Sequence, residues 1–377
     1  MKRRGKKFLR LCSYILVAAL ASAATWCFVP SSNKLDQLAT IIDHYFIGEV
    51  DMTKAEDAAA AAMVASLGDR WSHYIPAADY ANHVYYQNNE YVGIGIAIQK
   101  RQDGAGFDIV EVNKGGPAEK AGLQAGDIIT HVDEASVIEL DSTGLSSLIL
   151  GEENTKVSIT VLRAEESLHF TVTRKPIYSS AVAGIMLTQT TGYVLIGNFY
   201  TGTGKEAISV IEELMSQGAE SLLLDVRNNP GGYTDEMVEL LDYLLPEGLL
   251  FRTVNYNGTE ERENSNAACL EIPMAVLMNG NSYSAAEFFA AALDEFDWAV
   301  TVGEQTVGKG YYQITTPLSD GSAVTLSMGK YFTPNGVNLA EVGGLVPDIP
   351  VEPAQGYVPL EEDPQIQAAL AALAGNS

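Results

Sequence analysis

The spacing of apolar residues changes twice along this 377-residue chain, and each change limits what the segment can become. From Leu35 to about Ala81 they recur at helical spacing, as at Leu35, Leu38, Ile41, Ile42 and Tyr45, and an alanine-rich run at 55–67 continues the pattern. These helices serve packing or dimerisation, and the spacing does not choose between the two. Between Tyr91 and Lys175 short runs at 92–98, 107–112, 127–132, 157–162 and 169–173 surround one helix near 142–150, which predicts a small β-rich domain. After Pro176, apolar strands near 193–199, 221–226, 274–278 and 298–302 alternate with helical stretches near 205–217, 234–245 and 284–295. That order predicts a layered α/β domain. The expected divisions are 1–30, 31–88, 89–175, 176–356 and a tail at 357–377 with a short helix near 365–374.

The N-terminus reads differently. Lys2, Arg3, Arg4, Lys6, Lys7 and Arg10 precede an uncharged apolar stretch from 11 to about 30, the pattern of an export signal. Ala21-Ser22-Ala23 suits a signal peptidase, yet the apolar run continues through Trp26, Cys27, Phe28 and Val29, long enough to stay as an anchor. A single-pass cell-membrane protein with its folded part extracytoplasmic is expected, or a secreted one if the signal is cleaved. Without the first ten residues, 17 basic residues face 48 acidic ones, a balance that repels phosphate backbones and excludes nucleic acid as a partner. Cys12 and Cys27 lie in the signal, so Cys269 is the only thiol left and no intrachain disulfide can form in the exported part. The five histidines (His44, His73, His83, His131, His169) are scattered and none has zinc-ligand spacing with a cysteine. No metal and no cofactor are expected.

Two turns follow buried-type strands in the α/β region. Leu222-Leu223-Leu224-Asp225 leads into Val226-Arg227-Asn228-Asn229-Pro230-Gly231-Gly232, a turn that can expose backbone amides. Ala275-Val276-Leu277-Met278 leads through Asn279-Gly280-Asn281-Ser282-Tyr283 to Ser284, where a helix begins. A serine at a helix N-terminus sits where amides and dipole favour negative charge. It also suits a simple N-cap, with Glu287 closing a capping box. No histidine follows His169, so a base for Ser284 must be sought elsewhere, and only Lys309 and Lys330 follow the serine. Lys309 lies between Gly308 and Gly310, which let the backbone close around its amine. Desolvation would lower its pKa towards that of a general base; an exposed turn lysine is the alternative.

Within the β-rich region, Ala121-Gly122-Leu123-Gln124-Ala125-Gly126-Asp127-Ile128-Ile129 resembles the signature of PDZ domains of bacterial proteases. Gly93-Ile94-Gly95-Ile96 stands where such domains place their carboxylate-binding loop. Glycines there let backbone amides converge on a terminal carboxylate while a strand edge pairs with the peptide.

Over nearly its whole exported length the chain resembles the C-terminal processing peptidases, or tail-specific proteases. The matching motifs are Ser282-Tyr283-Ser284-Ala285-Ala286-Glu287, the Gly303–Gly310 loop with Lys309, Gln313 four residues further on, the Arg227–Gly232 turn, Tyr331–Gly336 and the Gly343–Ile349 tail. The resemblance implies an α/β serine protease core with a PDZ domain behind a helical leader, a Ser284 nucleophile and a Lys309 base oriented by Gln313. It also implies oxyanion donors at Gly231 and Ala285, and a mechanism through an acyl-enzyme. Polypeptides with free C-termini are the implied substrates. A homodimer and an activating or tethering protein are compatible with it. Tyr283 departs from the small residue common before the nucleophile, and its bulk would narrow the cleft.

Overall fold

The computed structural model describes residues 33–356 and 358–375, so the signal or anchor expected at 1–30 lies outside the described residues. Among the described residues no helix is long and apolar enough to cross a membrane. They form two compact units that divide between Gly68 and Asp69. The first holds α1 (Lys34–Tyr45) and α2 (Met52–Ala65). Asn33 caps α1 by accepting the amides of Leu35 and Asp36, and Asp51 caps α2 at Lys54.

The second unit opens with β1 (His73–Ile75) and α3 (Ala77–Gln87). β1 interrupts what the apolar spacing reads as continuous helix. The β-rich module follows: β2 (Glu90–Gly93), β3 (Ile96–Lys100), β4 (Phe107–Val112), α4 (Pro117–Ala121), β5 (Ile128–Val132), β6 (Ala135–Ser136), α5 (Ser142–Ile149), β7 (Lys156–Arg163), β8 (Glu166–Thr173) and β9 (Lys175–Tyr178). Its core gathers Ile94, Phe107, Ile109, Leu145 and Ile159. The single strand expected at 92–98 is broken at Ile94 and Gly95, where Gly95 takes φ +75°. β2 leaves to pair with β9, and β3 becomes the edge of the sheet β3-β4-β5-β7-β8.

The α/β core is a six-stranded sheet of β10 (Val182–Met186), β11 (Thr191–Ile196), β12 (Ser221–Asp225), β15 (Met274–Met278), β16 (Ala299–Gly303) and β19 (Ile349–Pro350), in that order. Every pairing is parallel except the β10–β11 hairpin. α6 (Thr203–Ser216), α7 (Thr234–Leu244) and α8 (Ala285–Glu295) pack with one cluster of side chains that includes Leu222 and Leu224. Leu223 points the other way and meets Ile366, Ala369 and Leu373 of α10 (Pro364–Gly375), the last helix after α9 (Leu339–Val342). Both faces of β12 are thus covered, which is why its sequence is a continuous apolar run rather than an alternation.

A second sheet, not anticipated from sequence, is built from β13 (Gly248–Asn255), β14 (Glu260–Ser265), β17 (Tyr311–Pro317) and β18 (Ala323–Phe332), with β1 on its edge through His73–Thr325 and Ile75–Ala323 pairs. The layered α/β domain expected from sequence thus carries this additional sheet. The second sheet brings the residues just after Gly68 against the β17–β18 hairpin.

Candidate active site

β12 and β15 are neighbours in the sheet, so the two turns read from sequence emerge side by side. The first turn is anchored from behind. Arg227 donates to Asp225 at 2.6 Å, to Asp363 at 2.7 Å and to Gln365 at 2.8 Å, tying the end of β12 to α10. The two turns are then stitched together: Ser282 Oγ donates to the Val226 carbonyl at 2.8 Å, and Tyr283 N–H to the Asn229 carbonyl at 3.1 Å. Ser282 is fully buried, and this bond commits its hydroxyl to structure.

Ser284 is held at φ +61°, ψ −127°. A residue with a side chain adopts such a conformation only where its surroundings over-determine it, at a cost of about 1–3 kcal/mol. Gly231 lies so close that a Cβ on it would sit 2.8 Å from that of Ser284, and its own φ is +85°. Only glycine fits there.

Glu287, in the first turn of α8 and wholly buried, supplies the remaining restraint. Its Oε2 accepts the Ser284 N–H at 2.9 Å and the Lys309 N–H at 2.7 Å; its Oε1 accepts the Gly308 N–H at 2.7 Å and the Thr306 hydroxyl. The sequence shows Glu287 as half of a capping box. The structure shows that the same carboxylate also builds the loop carrying the lysine.

Lys309 and Ser284 line one cavity of about 670 Å³, together with Gln313. The Lys309 Nζ lies 4.6 Å from the centre of the Trp71 ring and 5.7 Å from that of Tyr283, and these two rings stack at 5.8 Å. Burial against them pulls the amine down to about 8; Arg70 pushes in the same direction, while Glu287 and Asp69 partly oppose it. Trp71 carried no signal of this in the sequence. It arrives because Asp69 accepts the Trp71 N–H and the Ser72 hydroxyl, while Ser72 Oγ accepts the Ser327 N–H of β18 at 3.0 Å.

Two expected contacts are not made in this conformation. Gln313 Nε2 donates to the Tyr311 carbonyl at 2.9 Å and to Ser327 Oγ at 3.3 Å, so its amide faces the hairpin rather than the lysine amine. Gly231 N–H donates to Asn229 Oδ1 at 2.7 Å, because the asparagine folds back over its own turn. The Ala285 and Gly232 amides have no acceptor among the described residues, and Gly232 borders the same cavity.

In the β-rich module, Ile94, Gly95 and Ile96 line a groove between β3 and α5, closed by Tyr91, Ile149 and Leu150. Gly93 lies beneath it: a Cβ there would press on Tyr91 at 3.0 Å and Leu150 at 3.2 Å. The carbonyls of Ile94 and Gly95 are taken by Ala118 and Asn113, whereas their amides have no acceptor among the described residues.

A strained serine and a desolvated lysine lining one cavity, on an α/β core joined to a groove-bearing β-module, fit a serine-type peptidase. Residues 190–351 match the model of peptidase family S41, and residues 109–163 that of the PDZ domain. A carboxyl-terminal-processing protease of Synechocystis sp. is 33% identical over 322 residues, which cover 83% of this chain and 75% of that protein. A CtpA-like serine protease of Staphylococcus aureus (strain COL) is 28% identical over 354 residues, covering 90% of this chain and 71% of that one. A solved S41 protease from Bacteroides fragilis shares the fold with a TM-score of 0.54 at 17% identity, over 90% of this chain and 97% of the other. The chain belongs to the carboxyl-terminal-processing protease family.

Proposed function

We propose that this protein is an extracytoplasmic endopeptidase in which neutral Lys309 takes the proton of Ser284, and the resulting alkoxide attacks a peptide carbonyl. The leaving amine takes the proton, and water then hydrolyses the acyl-enzyme. The observation that carries this reading is the shared cavity of Ser284 and a partly buried Lys309 whose pKa is drawn down to about 8. For proton transfer, the amine swings from Trp71 and Tyr283 to Ser284 Oγ, a side-chain rotation of the kind substrate binding commonly induces. Gln313 then receives it. The Ala285 amide is one oxyanion donor; the second comes from the 231–232 turn, either from the unpaired Gly232 amide or from Gly231 once Asn229 releases it.

The PDZ groove holds the substrate's C-terminus. This is supported by the unpaired amides of Ile94 and Gly95 and by β3 standing at a sheet edge, open to a further strand. The basic and apolar N-terminus supports anchoring in the membrane, with the rest of the chain outside the cytoplasm. A homodimer and a tethering or activating protein belong to the same reading.

The test is cleavage of an unstructured polypeptide with an apolar tail by the full chain, beside Ser284→Ala and Lys309→Ala. Loss of turnover in both is expected. Turnover that survives either substitution contradicts the assignment.

A further inference from the structure

We propose that Arg70 and His73 form a carboxylate-binding subsite of the catalytic cleft, which selects polypeptide substrates bearing an acidic side chain close to the scissile bond. The proposal rests on the reading of Ser284 and Lys309 as the catalytic pair and adds a substrate class to it.

The chain has 48 acidic residues against 23 lysines and arginines, so a cleft of ordinary composition would carry carboxylates. This one has none: apart from tyrosines, its titratable lining residues are Arg70, His73, His83 and Lys309. Lys309 is committed to the serine. His83 is stacked on Tyr80, its Nε2 buried without a partner among the described residues, and burial, with His73 nearby, lowers its pKa, which favours the neutral ring. Arg70 and His73 remain exposed. The Arg70 guanidinium has no carboxylate partner among the described residues, since neighbouring Asp69 is taken by Trp71 and Ser72. His73 donates Nδ1–H to the Trp71 carbonyl at 3.2 Å, so its Nε2 can donate to a carboxylate only when the ring is the doubly protonated imidazolium.

Geometry limits where the acid can lie. Arg70 Cζ sits 4.1 Å from the centre of the Trp71 ring, and Lys309 Nζ 4.6 Å from the same point. The two charges are therefore separated by no more than the sum of these distances, about 9 Å. An extended substrate advances about 3.3 Å per residue, so an acidic side chain within about three residues of the scissile bond reaches the guanidinium. Arginine's planar fork pairs with a carboxylate and discriminates against the neutral amide of the same shape.

The experiment uses the full chain and an unstructured peptide in which Glu or Gln is placed in turn at each position within three residues of the cut, with cleavage sites mapped by mass spectrometry. At one position kcat/KM for the Glu peptide is expected to exceed that for Gln by about three- to tenfold at low salt, and the ratio to shrink as salt is raised. In Arg70→Gln the ratio falls to about one, and in Arg70→Glu a Lys peptide is preferred instead. Equal cleavage of Glu and Gln peptides at every position overturns the subsite, as does a preference that persists in Arg70→Gln. Peptides that are not cut in a Ser284-dependent manner, judged against Ser284→Ala, overturn the catalytic reading and the subsite with it.

Discussion

Ser284 and Lys309, 25 positions apart in sequence, hang by their backbone amides from a single oxygen atom of Glu287, at 2.9 and 2.7 Å. The strained turn of Ser284 and the loop of Lys309 are therefore tied together through the first turn of α8. Replacing Glu287 by Ala leaves four donors unpaired, two of them buried and two part-buried, each worth up to about 1–3 kcal/mol. Expected outcomes are a loss of several kcal/mol of stability and a fall in kcat of at least about a hundredfold. Glu287→Gln retains one acceptor oxygen and should fall between the two, in thermal unfolding as in kcat.

The Lys309 amine must be neutral to accept a proton, and burial draws its pKa down to about 8. The kcat/KM of the enzyme is therefore expected to rise with pH to a plateau, with its midpoint near 8. A midpoint near 10, or a profile unchanged in Lys309 variants, would show that another group is the base.

The same shift acts on stability. A lysine with a depressed folded-state pKa contributes its full stability above the unfolded value near 10.5, and this is lost as pH falls towards 8. Below that, the folded protein carries the strain of a buried charge. Lys309→Met is expected to abolish activity yet raise stability at pH 7 by about 1–3 kcal/mol, with little gain at pH 10.5. Denaturant titrations at the two pH values measure this directly.

Trp71 keeps water from the amine while its ring face attracts the cation, two effects of opposite sign. Desolvation is the larger influence on Lys309, so Trp71→Ala is expected to move the kcat/KM midpoint upward by about one unit, cutting activity at pH 7 about tenfold. Trp71→Phe, which keeps an aromatic face, should shift it less. A purely structural role for Trp71 would lower kcat and leave the midpoint in place.

Leu150, at the end of α5, stands 40% exposed on the rim of the PDZ groove. Leu150→Asp places a charge against an apolar tail and should raise KM for tailed substrates about tenfold, leaving kcat unchanged. Substrates lacking the tail should show no difference.

Much of this arrangement was legible in the sequence, for identifiable reasons. The Leu222–Leu224 run reports a strand buried on both faces, and Pro230-Gly231-Gly232 report the turn that ends it. The second sheet was not legible. Glu260–Ser265 has no apolar alternation, and His73–Ile75 is too short to break a helical pattern; both are strands because of their partners, β13 and β18. The role of Glu287 was half visible, since its bond to Ser284 is local and its bonds to Gly308 and Lys309 span more than twenty positions. The orientations of Gln313 and Asn229 depend on side-chain hydrogen bonds that no periodicity encodes.

In the proposed reaction Ser284 forms a covalent acyl-enzyme with the help of Lys309. The most direct test is to mix the full chain with an activated peptide ester, quench in acid and locate the acyl mass by tandem mass spectrometry. One acyl group is expected, on Ser284, absent in Ser284→Ala and strongly reduced in Lys309→Ala. An acyl group on Ser282 or elsewhere, or one that accumulates equally in Lys309→Ala, would contradict it.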